Sequence, residues 1–409
     1  MDIFDGAYYK SCKWFLSTLG LWPYQTDNRK RISAIIFFVV NISLAIPTGA
    51  LLYKLWLKSF TVTFENTVSV MFAIGCCAKY VVTYTSSQRV RKKVDQLVRL
   101  FEQIASDWQR ITDTTELSIL TKYSEKGKFL ITFYQVYIWF GWTVYTLMPF
   151  IPYFLDKVSP LNESRPLLMP FYADYIVFEQ ADYHYTSCFH IAFVYISSAL
   201  LFCGVDATFV MSVQHTCGLF AIICHRLEGE KIKKESEYAQ NVTKTLSEEE
   251  LREVVIFHNN CITCSGLLED SFNLSFLILN SMSVLGLALS GVYFIYIYED
   301  YYKFVRIMAF FVGLIIHLLY LNWVGQKIID SSEDVFLSAV HQATINFDSY
   351  CSKWYVISTS ARAFIKIIMV RALEPCRLTA GGLSTLCMES FGILIKTSVS
   401  YFTVFLSVA

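Results

Sequence analysis

The sequence predicts an all-α, seven-transmembrane helical membrane protein with an intracellular N-terminus, an extracellular C-terminus and a cytoplasmic helical anchor region. Three observations predict it. Hydrophobic residues make up 55% of the 409 residues and charged residues only 17%, where a soluble domain carries about 25% charge. Seven stretches, 32–57, 62–84, 129–154, 190–224, 272–298, 305–324 and 383–408, are apolar for the ~20 residues that a helix needs to cross ~30 Å of hydrocarbon. Lys and Arg divide unevenly between alternate connecting segments: 26 of the 34 fall on the side of the N-terminus and six on the other, with Lys79 and Lys396 inside spans. Basic residues mark the cytoplasmic side, so the N-terminus is placed inside.

The same composition excludes other classes. Equal numbers of acidic and basic residues, 34 each, do not provide the basic excess that nucleic acid requires. The spans are continuously apolar and do not alternate, which argues against a β-barrel. No His-Glu-x-x-His, Gly-x-Ser-x-Gly or phosphate loop occurs, so neither an enzyme nor a cofactor is expected.

Residues 1–31 form a cytoplasmic segment. Asp2, Asp5, Lys10 and Lys13 interrupt any apolar core of a cleaved signal, and the first span takes the targeting role. Residues 32–324 hold spans one to six with cytoplasmic helical extensions. After the second span, Val90, Val94, Leu97, Phe101, Ile104, Trp108 and Ile111 recur at alternating spacings of four and three, one stripe of an amphipathic helix. That stripe packs on neighbouring helices or lies on lipid; a calmodulin-type target is the other reading weighed. The fourth span is longer than a crossing requires and is expected to continue into water or to tilt. The charged segment 231–238 is read as a link. Ser247 and Glu250 fit a capping box that opens a helix over 247–270, with Leu251, Val254, Val255 and Ile262 on its apolar face. Residues 325–381 form an anchor segment with a further helix around Trp354, Ile357, Phe364, Ile367 and Ile368, ended by Pro375. Residues 382–409 contain the last span. The 12 Cys are expected to be reduced and structural, Cys261-Ile-Thr-Cys264 included.

Chemistry concentrates in the spans. In the last one, Glu389, Ile393, Lys396, Ser400, Thr403 and Ser407 are spaced 4-3-4-3-4, a mostly polar helix face. Charged groups inside a membrane face protein or water. Periodicity leaves two readings open: packing on the other six spans, or lining an aqueous path, which needs several subunits. Lys79 lies near the inner end of the second span, from where such a side chain can snorkel. Asp206, deeper in the fourth, is read as a paired structural group, with an ion site as the alternative. Bulky aromatic and sulfur side chains with a few hydroxyls gather in the outer halves of the spans and suit a small, poorly soluble ligand. They are Phe64, Met71 and Phe72 in the second span and Ile138, Gly141, Trp142 and Tyr145 in the third. Phe193, Val194 and Ser197 follow in the fourth, Tyr293 in the fifth, and Met308 and Phe311 in the sixth. The sequon at Asn162 lies in a loop predicted to be outside, and Asn241 heads a second one predicted to be inside.

Three motifs carry a resemblance. They are Leu19-Gly20-Leu21-Trp22-Pro23-Tyr24 before the first span; Gly325-Gln326 with Ile329 and the acidic segment 331–334 after the sixth; and Leu378-Thr379-Ala380-Gly381 through Lys396-Thr397-Ser398-Val399-Ser400-Tyr401-Phe402. With these, the chain resembles the insect odorant receptor family, in particular its variable, odorant-tuning subunits; the C-terminal stretch is similar to hymenopteran members. The resemblance implies a heterotetrameric, ligand-gated, non-selective cation channel in the plasma membrane of olfactory sensory neurons. It would be assembled with the shared odorant co-receptor subunit and opened by a small volatile organic ligand. It implies that four last helices line the pore, that Val404 and Val408 are gate positions, and that Ser407 occupies the polar constriction, where the co-receptor has a larger amide. The family's ligand pocket would lie between spans two and six, over the residues named above, and its anchor near 247–270 and 326–378. A gustatory-type homotetrameric channel is the nearest rival. A G-protein-coupled receptor has the opposite orientation, and a transporter would show internal repeats.

Overall fold

In the computed structural model, which describes residues 3–55, 60–87, 96–160, 165, 168–170, 172–228, 247–297, 300–348 and 359–408, each of the seven predicted spans falls largely within a helix. The helices in chain order are α1 (Lys10–Thr18), α2 (Asp27–Leu55), α3 (Phe60–Ser86), α4 (Gln96–Arg110), α5 (Thr114–Leu147), α6 (Ile151–Val158), α7 (His184–Glu228), α8 (Glu248–Tyr296), α9 (Tyr301–Asp348), α10 (Thr359–Ala372) and α11 (Met388–Val408). A short antiparallel hairpin, β1 (Thr379–Ala380) with β2 (Ser384–Thr385), precedes α11. The spans are α2, α3, α5, α7, α8, α9 and α11.

Helix lengths follow from the lack of breakers. α7, α8 and α9 run for 45, 49 and 48 residues. At 1.5 Å per residue each spans about 70 Å, more than twice the hydrocarbon thickness. The fourth span therefore continues as helix, as expected. The predicted helix over 247–270 is not separate but the first half of α8. It opens at Ser247, whose hydroxyl accepts from the Glu250 amide at 3.2 Å while the Glu250 carboxylate accepts from the Ser247 amide at 2.7 Å. Replacing Ser247 with Ala removes one arm of this box and is expected to cost about 1 kcal/mol. A small fall in the Tm of the purified protein would register it, and an unchanged Tm would show that the cap is dispensable. Likewise α5 starts at Thr114, not 129. Asp113 caps it, and the amides of Glu116 and Thr115 hold the Asp113 carboxyl below the usual carboxylate range. The last span starts later than predicted. Residues 383–387 belong to the hairpin and its exit, where the β1–β2 pairing takes the backbone groups that a helix would otherwise use.

The extensions gather at the end of the bundle that carries the N-terminal segment. α4 turns Leu97, Phe101 and Ile104 inward and packs on α8 and α3; Val90 and Val94 of the predicted stripe lie outside the described residues. The stripe therefore contacts protein. Asp107 on α4 meets His215 on α7 at 3.2 Å, and Arg226 on α7 grips Glu116 on α5 through two nitrogens at 2.5 and 2.8 Å. The Leu19–Tyr24 motif fits in here. Leu21 is fully buried, Trp22 packs on Phe4 and Phe101 (ring centroids 5.4 and 5.1 Å), and the Leu19 carbonyl accepts from Tyr80 at 2.7 Å. Lys30, also buried, donates to the carbonyls of Pro23 (2.9 Å) and Ser87 (3.1 Å), tying this segment to the end of α3. α10 buries Ala361, Ile365 and Ile368. Trp354, Ile357, the link 231–238, Asn162 and Asn241 lie outside the described residues.

Candidate functional site

α11 is set in place by a clasp of residues from two of the predicted motifs. The Glu269 carboxylate on α8 accepts from the Thr379 amide at 2.6 Å and from the Thr379 hydroxyl. The Gly381 amide donates to the Asn273 carbonyl at 3.0 Å. Gly381 has a φ of +61°, the left-handed region that glycine enters without strain. On the other side, Gln326 of α9 accepts from the Met388 amide at 3.3 Å while donating to Asp330 at 2.8 Å. Gly325 lies against Leu386 so closely that a Cβ would come within 2.5 Å of the Leu386 Cβ and carbonyl oxygen. The motifs at 325–326 and 378–381 thus form one joint that sets where the last helix begins.

From that joint α11 packs on α8 and α9 with one face only. Phe391, Leu394, Ile395, Ser398, Phe402 and Phe405 are buried or half-buried, and Phe402 covers Gly291 of α8. The stripe Glu389, Ile393, Lys396, Ser400, Thr403 and Ser407, together with Val404, is exposed. Among the described residues the stripe is therefore turned away from the chain's six other spans. Thr403 and Ser407 return their hydroxyls to the carbonyls of Ser400 (2.7 Å) and Val404 (2.8 Å), so their side chains need no partner from another helix. The Val408 side chain lies outside what the structure describes.

Mid-bundle, four helices meet at Asp206 of α7. One carboxylate oxygen is 2.5 Å from Lys79 Nζ on α3; the other accepts from Tyr134 Oη on α5 at 2.7 Å and lies 3.1 Å from His317 Nε2 on α9. All are buried or nearly so. Asp206 is thus a paired group. Lys79 does not snorkel: its ammonium turns inward to Asp206, because inside the bundle an opposite charge with hydrogen bonds offsets desolvation that open hydrocarbon would not. It also sits 4.4 Å above the Phe202 ring.

The end of the bundle away from the N-terminal segment carries the residues expected for the ligand, but distributed. Phe64 stacks on Tyr293 (5.7 Å, 1°), Phe72 neighbours Tyr195 (5.9 Å), and Tyr195 meets Tyr145 edge-on (5.5 Å). Phe311 meets Phe294 (5.6 Å), and Trp142 Nε1 donates to the Ala192 carbonyl at 3.4 Å. Met71 and Ile138 are half-buried. Val194 and Ser197 turn toward α2, Val194 into a cluster with Leu44 and Ile191 and Ser197 onto Asn41 (3.0 Å). Phe193, Gly141 and Met308 are exposed. Amid this set is a charge pair that sequence reasoning missed. Glu65 on α3 accepts from Arg306 of α9 and from the Tyr293 hydroxyl of α8. Its signal was visible: it is the one acid in an apolar run of α3. Cavities among the described residues lie toward the other end. One of about 440 Å³ lies between α5, α7 and α9, near His225, Glu228 and Asp334; one of about 10 Å³ lies under Trp22. The described cysteines are free, and no metal-binding cluster occurs among the described residues.

A family profile described as "7tm Odorant receptor" matches residues 59–399. Odorant receptor 13a of Drosophila melanogaster is 26% identical over 201 residues, covering 48% of this chain and 46% of that receptor. Odorant receptor 67a of the same species is 21% identical over 410 residues, covering 95% and 92%. Among solved structures, the olfactory receptor OR5 of Machilis hrabei in complex with eugenol superimposes with a TM-score of 0.73 at 14% identity, covering 99% of this chain and 100% of that one. A second structure of OR5 gives 0.71 at 16% identity, covering 98% of each chain.

Proposed function

The chain belongs to the seven-transmembrane odorant receptor family, a family of receptors and not enzymes, and from that premise we propose that it is the odorant-tuning subunit of a ligand-gated, non-selective cation channel. The observation that carries this reading is the outward polar stripe of α11. A charge in hydrocarbon at the centre of a helix costs about 2.5–3.5 kcal/mol or more. A stripe holding Glu389 and Lys396 that turns away from its own bundle therefore belongs against water or against other subunits. Several copies of α11 around an axis meet both demands, and the hydroxyls of Ser400, Thr403 and Ser407 then line a path for permeating cations.

In this reading the partner is the odorant co-receptor, the assembly is a tetramer, and the N-terminus is cytoplasmic. The carboxyl end of α11 faces the exterior of an olfactory sensory neuron, Asn162 is glycosylated on that side, and Lys396 lies toward the inner mouth. The region around 247–270 and 326–378 supplies the cytoplasmic anchor. A small volatile organic ligand occupies the aromatic region of the outer half. It binds more tightly when the outer parts of the last helices are splayed, and so shifts the population to the open state. Val404 and Val408 then leave the axis and the constriction wets.

Current recorded from cells that express the chain with and without the co-receptor tests the assembly; evoked current without it would favour a homotetramer. Replacing Val404 and Val408 together with Ala is expected to raise basal current several-fold. If basal and evoked currents both match the wild type, the valines are not the gate.

A further inference from the structure

Glu65 is buried toward the end of the bundle away from the N-terminal segment, and among the described residues only one of its oxygens is used. Oε1 accepts from both the Arg306 guanidinium and the Tyr293 hydroxyl. Oε2 is buried with no hydrogen-bond partner among the described residues, and the next residue, Asn66, fully buried, has both amide atoms in the same condition. An ionised carboxylate offers acceptor sites on both oxygens, and a buried acceptor left unpaired is unfavourable. The cation is already committed. Arg306 Nη1 donates to the carbonyls of Met169 (2.8 Å) and Pro170 (3.1 Å), and the Pro170 carbonyl also accepts from Tyr145 at 2.9 Å. The pair is held among aromatic rings: Phe64 lies flat on Tyr293, and Tyr145 meets Tyr195.

We propose that Glu65 Oε2 selects the ligand's chemical class: a small apolar molecule bearing one hydrogen-bond donor, a phenol, an alcohol or an amine, whose O–H or N–H is accepted there while its carbon skeleton lies among the Phe64, Tyr145, Tyr195 and Tyr293 rings. This rests on the reading that the outer half of the bundle holds the ligand. Selection follows from asymmetry. A donor satisfies a buried acceptor that is otherwise unpaired, and a charged acceptor makes the stronger kind of hydrogen bond. An ether of the same size leaves Oε2 unpaired and adds its own unmatched oxygen. A carboxylic acid brings a second negative charge beside Glu65, with Arg306 already engaged, and is rejected.

Matched probes test this on the purified full-length chain in complex with its co-receptor: 4-methylphenol against 4-methylanisole, benzyl alcohol against benzyl methyl ether, and hexan-1-ol against 1-methoxypentane and hexanoic acid. Affinity is read from ligand-induced shifts in Tm. In the wild type, the donor member of at least one pair is expected to bind about fivefold or more tightly than its ether, and hexanoic acid more weakly than hexan-1-ol. The double variant Glu65→Leu/Arg306→Met exchanges the buried pair for apolar groups of similar volume, a change that buried ion pairs often tolerate. It should bind each ether and its donor partner within about twofold. Glu65→Gln, which keeps an acceptor and loses the charge, should fall between. Equal affinity within every wild-type pair, a donor preference that survives in the double variant, or no binding by any donor probe overturns the proposal. Donor-selective binding without evoked current supports it and counts against the channel reading instead.

Discussion

Asp206→Ala is expected to cost about 3–5 kcal/mol, the loss seen when one partner of a buried ion pair is removed, and to leave little receptor at the cell surface. The carboxylate is the shared acceptor for Lys79, Tyr134 and His317, on three other helices. Without it the Lys79 ammonium is left charged inside the bundle, over the Phe202 ring. The loss is a large fraction of the stability margin of a typical domain, about 5–15 kcal/mol. The double variant Lys79→Met/Asp206→Leu should recover most of it. Tyr134 and His317 are 3.2 Å apart and can satisfy one another once both charges are gone, while the apolar replacements fill the space. Surface labelling and the Tm of detergent-purified protein measure both. If Asp206→Ala reaches the surface at wild-type level, the carboxylate does not hold these helices together. If the double variant is as impaired as the single, the cost lies in lost packing and not in the stranded charge.

The sequence could be read for each property that repeats along a single helix, and failed where the property joins distant residues. The seven spans were legible because an apolar run is local. So was the polar stripe of α11, since 3.6-residue periodicity puts Glu389, Lys396, Ser400, Thr403 and Ser407 on one face without knowledge of the rest of the fold. Which way that face points was not legible; the burial of Ser398 and Phe402 on the opposite side decides it. Span ends were misplaced wherever a helix leaves lipid for an amphipathic extension, as α8 and α9 do, because the apolar run stops while the helical hydrogen bonding does not. Lys79 and Asp206 were each visible as intramembrane charges, but 127 positions separate them, and a single sequence holds no register for such a pair. Glu65 and Arg306 are 241 apart. Arg306 was counted with the basic residues of the side opposite the N-terminus although it lies in the second turn of α9, which made its carboxylate partner easy to pass over.

The other large effect expected is at Gly325. Helix propensity alone predicts that Gly325→Ala stabilises the receptor, since Ala is favoured over Gly inside a helix by roughly 1 kcal/mol and the position lies well within α9. Contact predicts the reverse. The added methyl would stand 2.5 Å from both the Cβ and the carbonyl oxygen of Leu386, and overpacking costs about 1–3 kcal/mol. Neither of these atoms belongs to a flexible side-chain tip, so relief requires the backbone of the joint to move. The Leu386 amide donates to the Leu378 carbonyl at 2.7 Å and the Thr379 amide to Glu269 at 2.6 Å, so the hairpin must shift as a unit and carry the start of α11 with it. Gly325→Ala is therefore expected to fold and reach the surface, because α9 itself is strengthened, yet to lose most of its evoked current when expressed with the co-receptor. Gly49→Ala on α2, where a methyl meets nothing within 4 Å, serves as the neutral control. Trimming the neighbour with Leu386→Ala should not rescue the current, because alanine keeps both clashing atoms. Wild-type evoked current in Gly325→Ala, or recovery on trimming Leu386, would mean that the position of the last helix is not set at this contact.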